Sequence, residues 1–230
     1  MEQVQDILIP YENMLKAGMH FGRRKTVFNP AMQKYVFTVR DGICIIDLLL
    51  TQEKLKGMTE FLKETIAEGK LILFVAPTTQ SREATKMLAD ALNMPYVLDR
   101  WIGGTLTNFK VINSRVKKLE EMERAKTAGE LEKYTKKERT MFDKEMVKMA
   151  FHYDGLKKLT RMPDVVFVSS VKEGKLPVAE ARKMGITLAG IVNTDADPKT
   201  VQYAIPANDR SKMSVDLILN AIADALKNQV

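Results

Sequence analysis

The sequence predicts an α/β fold, a doubly wound parallel sheet with helices on both faces, interrupted by an inserted antiparallel coiled-coil hairpin. Three observations lead there. Residues 71–76, 165–168 and 188–192 are short apolar runs, as expected of parallel strands covered on both faces. Helix-spaced segments alternate with them, the order that builds a two-sided sheet. Between residues 105 and 162 the composition changes, with fifteen Lys/Arg against nine Asp/Glu and two apolar seams at three-four spacing.

In chain order, residues 4–18 read as a short amphipathic helix with Ile7, Leu8, Met14 and Leu15 on its apolar side and Pro10 near its start. The stretch from Gly18 to Lys25 reads as a glycine-flanked loop ending in Arg23-Arg24-Lys25. With His20, Phe21 and Phe28 it forms a mixed aromatic-basic patch, the composition that suits RNA contact as well as a plain solvated surface. Asn29-Pro30 marks a turn, and residues 35–40 and 43–48 form two strands around the hairpin dipeptide Asp41-Gly42. Thr51 is expected to cap a helix carrying Leu55, Met58, Phe61, Leu62 and Ile66 as far as Gly69. After the strand at 71–76, Pro77 breaks the chain, Ser81 starts a helix with Ala84, Met87, Leu88 and Leu92, and a short strand follows at 96–98.

That strand delivers the chain to Arg100-Trp101-Ile102-Gly103-Gly104-Thr105-Leu106-Thr107-Asn108-Phe109-Lys110, which holds the only tryptophan. Gly-Gly permits close backbone approach, and Thr107 or Asn108 can cap the helix that follows. Two readings stand side by side. An exposed Trp101 beside Arg100 would stack on unpaired bases, whereas a buried Trp101 would anchor the helix to the sheet. Phe109, Ile112, Val116 and Leu119 form one seam beyond the loop; Phe142, Met146, Met149, Tyr153 and Leu156 form the other across a polar stretch around Gly129. The expected division is therefore a globular body of residues 1–107 and 160–230, with 108–159 as the hairpin.

Beyond Pro163 come the strand 165–168, a helix over 177–184, the strand 188–192, a turn at 195–198 and an edge strand at 203–206. A last helix opens at Asn208 or Ser211, with Val215, Leu217, Ile218, Ala221, Ile222 and Leu226 on its apolar side.

The bulk numbers narrow the function. A chain of 230 residues, 45% hydrophobic and 28% charged, is that of a globular protein, and its net charge of +7 favours polyanionic partners. The single cysteine, Cys44, sits in an apolar run and suits a buried thiol in a reducing compartment. No apolar stretch has the length of a membrane span and none resembles a secretory signal, so a cytoplasmic protein is expected. The strand at 71–76 is followed by Pro77-Thr78-Thr79-Gln80-Ser81-Arg82, without the glycines of a phosphate loop. Asp195 and Asp197, beside Asn193 and Thr194, read as a turn and helix cap more readily than as a metal or phosphate site. His20 and His152 are the only histidines, too few for a nucleophile-base pair. No catalysis, metal or cofactor is expected. The rivals are an α/β enzyme taking a sugar phosphate or nucleotide at the Asp195-Asp197 edge, and a coiled-coil module that binds only protein.

The motifs also resemble a family. Residues 17–22, Asn29-Pro30, Gly42 with Ile45-Ile46-Asp47-Leu48, and above all 100–109 look like those of bacterial small-subunit ribosomal protein S2. So do Gly155-Leu156, Met162-Pro163-Asp164, Glu180-Ala181, Gly185-Ile186 and Ile205-Pro206-Ala207-Asn208-Asp209. The resemblance implies a three-layer αβα flavodoxin-like domain with a coiled-coil hairpin, placed near the head-body junction of the small subunit. It implies contacts with 16S rRNA and neighbouring ribosomal proteins, and help in retaining ribosomal protein S1. Two local departures are visible. Arg23 stands where the family commonly has His, and Ser169-Ser170 with Gly174-Lys175-Leu176 replace a segment that usually carries an acidic residue and His-Ile. On this reading the candidate RNA-binding residues are His20, Arg23, Arg24, Lys25, Arg100, Trp101, Thr105, Asn108, Lys110, Arg115, Lys117 and Lys118.

Overall fold

A computed structural model describes residues 8–227. The first helix, α1, covers only Tyr11–Lys16, with Pro10 at its N-cap and Met14 buried. It is shorter than the expected 4–18 because Pro10 cannot donate inside a helix; residues 4–7 of that expectation lie outside the described residues. Leu15, expected on the apolar side, is exposed.

The segment from Gly18 to Lys25 is not simply a loop. Phe21–Arg24 forms β1, which with β2 (Val36–Arg40) and β3 (Ile43–Ile46) makes a three-stranded antiparallel sheet in the order β1-β3-β2. Asp41 and Gly42 turn the hairpin with φ of 50° and 74°, the left-handed pair that a tight two-residue hairpin requires. The next helix, α2 (Leu48–Ala67), is capped by Asp47, whose Oδ1 accepts from the Leu49 N–H at 2.9 Å. Thr51, expected to be the cap, lies one turn inside and donates its hydroxyl to the Pro206 carbonyl at 2.7 Å.

β4 (Ile72–Val75), α3 (Arg82–Ala91) and β5 (Tyr96–Val97) follow. Met87 of α3 is exposed rather than buried, because the helix shows its Ala84-Leu88 side to the core. Then come α4 (Phe109–Thr127) and α5 (Lys136–Tyr153), joined through Gly129 and opened at α5 by a capping box between Thr135 and Glu138. The two run antiparallel, with Lys118–Glu145 at 2.8 Å and Lys126–Asp143 at 2.7 Å crossing between them. β6 (Val165–Val168), α6 (Lys175–Lys183), β7 (Thr187–Val192), β8 (Tyr203–Pro206) and α7 (Lys212–Leu226) complete the described chain, and Ser211 caps α7.

The main sheet is five-stranded, parallel throughout and ordered β5-β4-β6-β7-β8. Numbered by chain order among these five, that is 2-1-3-4-5, the flavodoxin-like arrangement. Each strand feeds two cores, because successive side chains point to opposite faces. Ile72, Phe74, Val165 and Phe167 pack with Leu62 of α2, Leu88 of α3 and Ile218 of α7. Leu73, Val75, Val166 and Val168 pack with Val178 of α6 and with Trp101, Leu106, Ile112 and Val116. The root of the helical hairpin is thus part of the second core, while α5 has no fully buried residue.

Candidate nucleic-acid interface

The Trp101 loop faces inward. Trp101 is 9% exposed, and its Nε1 donates to Glu180 Oε1 at 3.0 Å. Glu180, on α6, also accepts from the backbone N–H groups of Gly104 at 2.8 Å, Leu106 at 3.0 Å and Thr107 at 3.2 Å, and from the Thr107 hydroxyl at 3.2 Å. Five donors converge on one carboxylate, so the anion that this glycine-containing turn is built to hold comes from its own chain. Burial works to raise the Glu180 pKa, but the bonds from Trp101, Gly104, Leu106 and Thr107 outweigh it and hold the pKa below the ordinary value. Thr105 is buried and donates to the Ile102 carbonyl at 2.6 Å. Asn108 occupies the N-cap of α4 without a capping bond from its side chain. Base stacking by an exposed Trp101 therefore gives way to the anchoring reading; Arg100, Asn108 and Lys110 remain on the surface.

The basic triplet divides at an irregularity of β1 between Phe21 and Arg24. Arg23 turns inward, its side chain 17% exposed, with Nε 3.5 Å from Asp195 Oδ2 and Nη2 3.7 Å from Asp209 Oδ1. Its backbone N–H donates to Thr194 Oγ1 at 2.7 Å. This approach needs Gly22, because a Cβ there would lie 2.6 Å from Thr194 Cγ2 and 2.8 Å from the Cys44 carbonyl. A phosphate-neutralising Arg23 is thus corrected to an internal counter-ion. Arg24 and Lys25 are exposed and, among the described residues, take part in no ion pair. His20 is half-buried against the Phe21 ring, 4.0 Å between centroids, and burial lowers its pKa.

Arg23 belongs to a polar cluster at the C-terminal ends of β6, β7 and β8. Asp209 accepts from the Ser170 hydroxyl at 2.6 Å and from Asn193 Nδ2 at 2.8 Å. Lys172 Nζ donates to the Asp195 carbonyl at 2.9 Å. Arg23 and Ser170, both noted as family departures, meet on the same buried Asp209. Asp197 caps the turn after it through the Lys199 N–H at 2.9 Å. Among the described residues no group of three or more His, Cys, Asp or Glu side chains is placed to hold a metal ion.

On the hairpin, Arg115 and Lys117 are exposed, while Lys118 is held by Glu145 at 2.8 Å. Exposed pairs of this kind contribute little and can exchange partners. Composition and spacing gave no role to Glu180 or Asp209. Both stand in motifs that carried the family resemblance, and neither is near its partner in sequence. Asn208, one of two candidate openers of the last helix, instead donates its backbone N–H to the Met19 carbonyl at 3.1 Å and its Nδ2 to the Gly18 carbonyl at 3.0 Å. Two motifs far apart in the chain are thus neighbours.

Against known proteins, residues 14–229 match the family described as Ribosomal protein S2. The chain is also similar to the small ribosomal subunit protein uS2 of Coprothermobacter proteolyticus, 37% identical over 219 residues, which is 95% of this chain and 82% of that relative. No helix among the described residues is long and apolar enough to cross a membrane. With the motif positions assembled as described and the family match running over nearly the whole chain, the protein belongs to the ribosomal protein S2 family, a structural family rather than an enzymatic one.

Proposed function

We propose that this chain is an rRNA-binding constituent of the small ribosomal subunit, seated near the head-body junction in the cytoplasm, where it contacts 16S rRNA and neighbouring ribosomal proteins and helps retain ribosomal protein S1. The observation that carries the reading is the family match over residues 14–229. The net charge of +7 agrees with it, as do the exposed cations Arg24, Lys25, Arg100, Lys110, Arg115 and Lys117. In this reading residues 108–159 act as an arm reaching away from the body of residues 1–107 and 160–230. Phosphate contacts position such a protein, and the folded shape of the RNA selects it.

Sedimentation of cell lysate through a sucrose gradient in high salt tests the reading. Co-migration with the small subunit is expected, and migration as a free protein overturns it. Depletion of the chain should also release ribosomal protein S1 from isolated subunits; undiminished S1 would remove that part of the proposal. Replacing Arg24 and Lys25 with alanine should flatten the dependence of log K on log[salt] by about 1.4 to 1.8 units, since each neutralised phosphate contributes about 0.7 to 0.9.

A further inference from the structure

We infer that the outer face of the three-stranded sheet is a platform for unpaired RNA bases, with Phe21 as its stacking ring and Arg24 and Arg40 as its phosphate clamps. This rests on the rRNA-binding reading above and adds which surface binds and in what form the RNA is held.

The argument starts from register. Phe21 and Thr38 both pair with Ile45, and Arg24 and Arg40 both pair with Ile43. Paired residues of antiparallel strands share a face, and so do residues two apart on a regular strand; β1 is irregular between Phe21 and Arg24, which puts both on the face of Ile43 and Ile45 and leaves Arg23 on the other. One face therefore carries two rows across the three strands: Phe21-Ile45-Thr38, and beside it Arg24-Ile43-Arg40. The opposite face carries Cys44 and Ile46, which are buried. The outer face is open: Phe21 is 46% exposed, Arg24, Thr38 and Arg40 are exposed, and Ile43 and Ile45 are only half-buried. With strands about 4.8 Å apart, the two arginines flank Ile43 at roughly 10 Å between backbones. Phe37, 74% exposed, stands at the irregularity in β2 on the free edge of the sheet.

Charge selects the occupant. Residues 21–46 hold five Lys/Arg and one acid, Asp41. Arg23 is neutralised inside, and Arg24, Lys25 and Arg40 have no carboxylate partner among the described residues. A flat sheet face cannot enter the deep major groove of duplex RNA, whereas protruding rings on a sheet are a recognised way to hold splayed-out bases. Stacking with flanking cations is the chemistry of single-strand binding.

The test uses the full chain and labelled oligoadenylate, with oligouridylate and a polyglutamate peptide as comparisons. Binding should be tighter to oligoadenylate than to oligouridylate. Phe21→Leu should weaken oligoadenylate binding roughly 5- to 100-fold with the salt slope unchanged, and Phe21→Tyr should restore it. Arg24→Gln with Arg40→Gln should flatten the slope by about 1.4 units. The substituted side chains are exposed, so each variant should melt with the parent. Oligoadenylate affinity unchanged in Phe21→Leu overturns the inference, and so does polyglutamate binding that depends on Phe21. Co-migration of the parent chain with the small subunit reports separately on the broader reading, so a failed platform and a failed ribosomal role give different results.

Discussion

Two stretches of this chain have the same ingredients, an aromatic ring between glycines and cations, and the fold uses them in opposite ways. In residues 100–110 the ring turns inward and the loop closes on Glu180, so the indole N–H and three backbone N–H groups are spent within the molecule. In residues 18–25 the ring of Phe21 turns outward, and of three consecutive cations only Arg23 finds carboxylates among the described residues. The difference is whether the chain supplies its own anion. A donor-rich, glycine-containing segment speaks for an external phosphate only after the internal carboxylates have been counted.

The comparison breaks most readily at Glu180. Glu180→Ala leaves the Trp101 Nε1 and three backbone N–H groups without their acceptor and should cost about 3 to 5 kcal/mol of stability, read from urea unfolding. A loss under about 1 kcal/mol would mean the loop does not depend on its internal anion. Arg23→Met comes next. It leaves Asp195 and Asp209 without their cation, and with the side chain partly open to solvent the expected loss is about 2 to 3 kcal/mol. Combining it with Ser170→Ala should give a non-additive total, since both groups act on Asp209.

A pH series sharpens the inward half. The folded pKa of Glu180 lies below its ordinary value of 4.5, so the unfolded chain takes up the proton first. The stabilisation is complete above about pH 4.5 and is lost as the pH falls through the folded pKa. Glu180→Gln should remove that part of the acid sensitivity; an unchanged acid limb would separate the loop from it. The smallest effect belongs to the outward half: Arg24→Ala and Lys25→Ala should shift unfolding by less than about 0.5 kcal/mol each while weakening RNA binding. Clear destabilisation would show that these cations have an internal role after all.

What could be read in advance follows the range of the interactions. The strands around Phe74, Phe167 and Ile191 declare themselves because burial on both faces leaves a continuous apolar run, and the helices α2 and α7 because their apolar residues recur at one period. β1 does not, because Phe21–Arg24 is too short and too charged to show alternation and its partner Ile45 lies beyond a turn and another strand. Leu15 and Met87 look apolar in sequence and are exposed, since the facing element decides which side of a helix is covered. In the candidate interface, exposure could not be read at all. Glu180 lies 79 positions from Trp101, and Thr194 lies 171 from Arg23. The motifs pointed to Trp101 and Arg23 as well as to Arg24 and Lys25; only the fold tells which of them face inward.

Two distant stretches, around Ala17 and around Ser211, also close on each other. The Ser211 hydroxyl donates to the Ala17 carbonyl at 2.9 Å, and Asn208 bonds the Gly18 carbonyl at 3.0 Å across 190 positions. During synthesis at about 5 to 20 residues per second, Gly18 is made roughly 10 to 40 s before Asn208. The helices α4 and α5, neighbours in sequence, have no such wait. In the newborn chain the turn at Ala17-Gly18 therefore waits for Asn208 and Ser211, while β1, β2 and β3 need only residues 21–46 to pair.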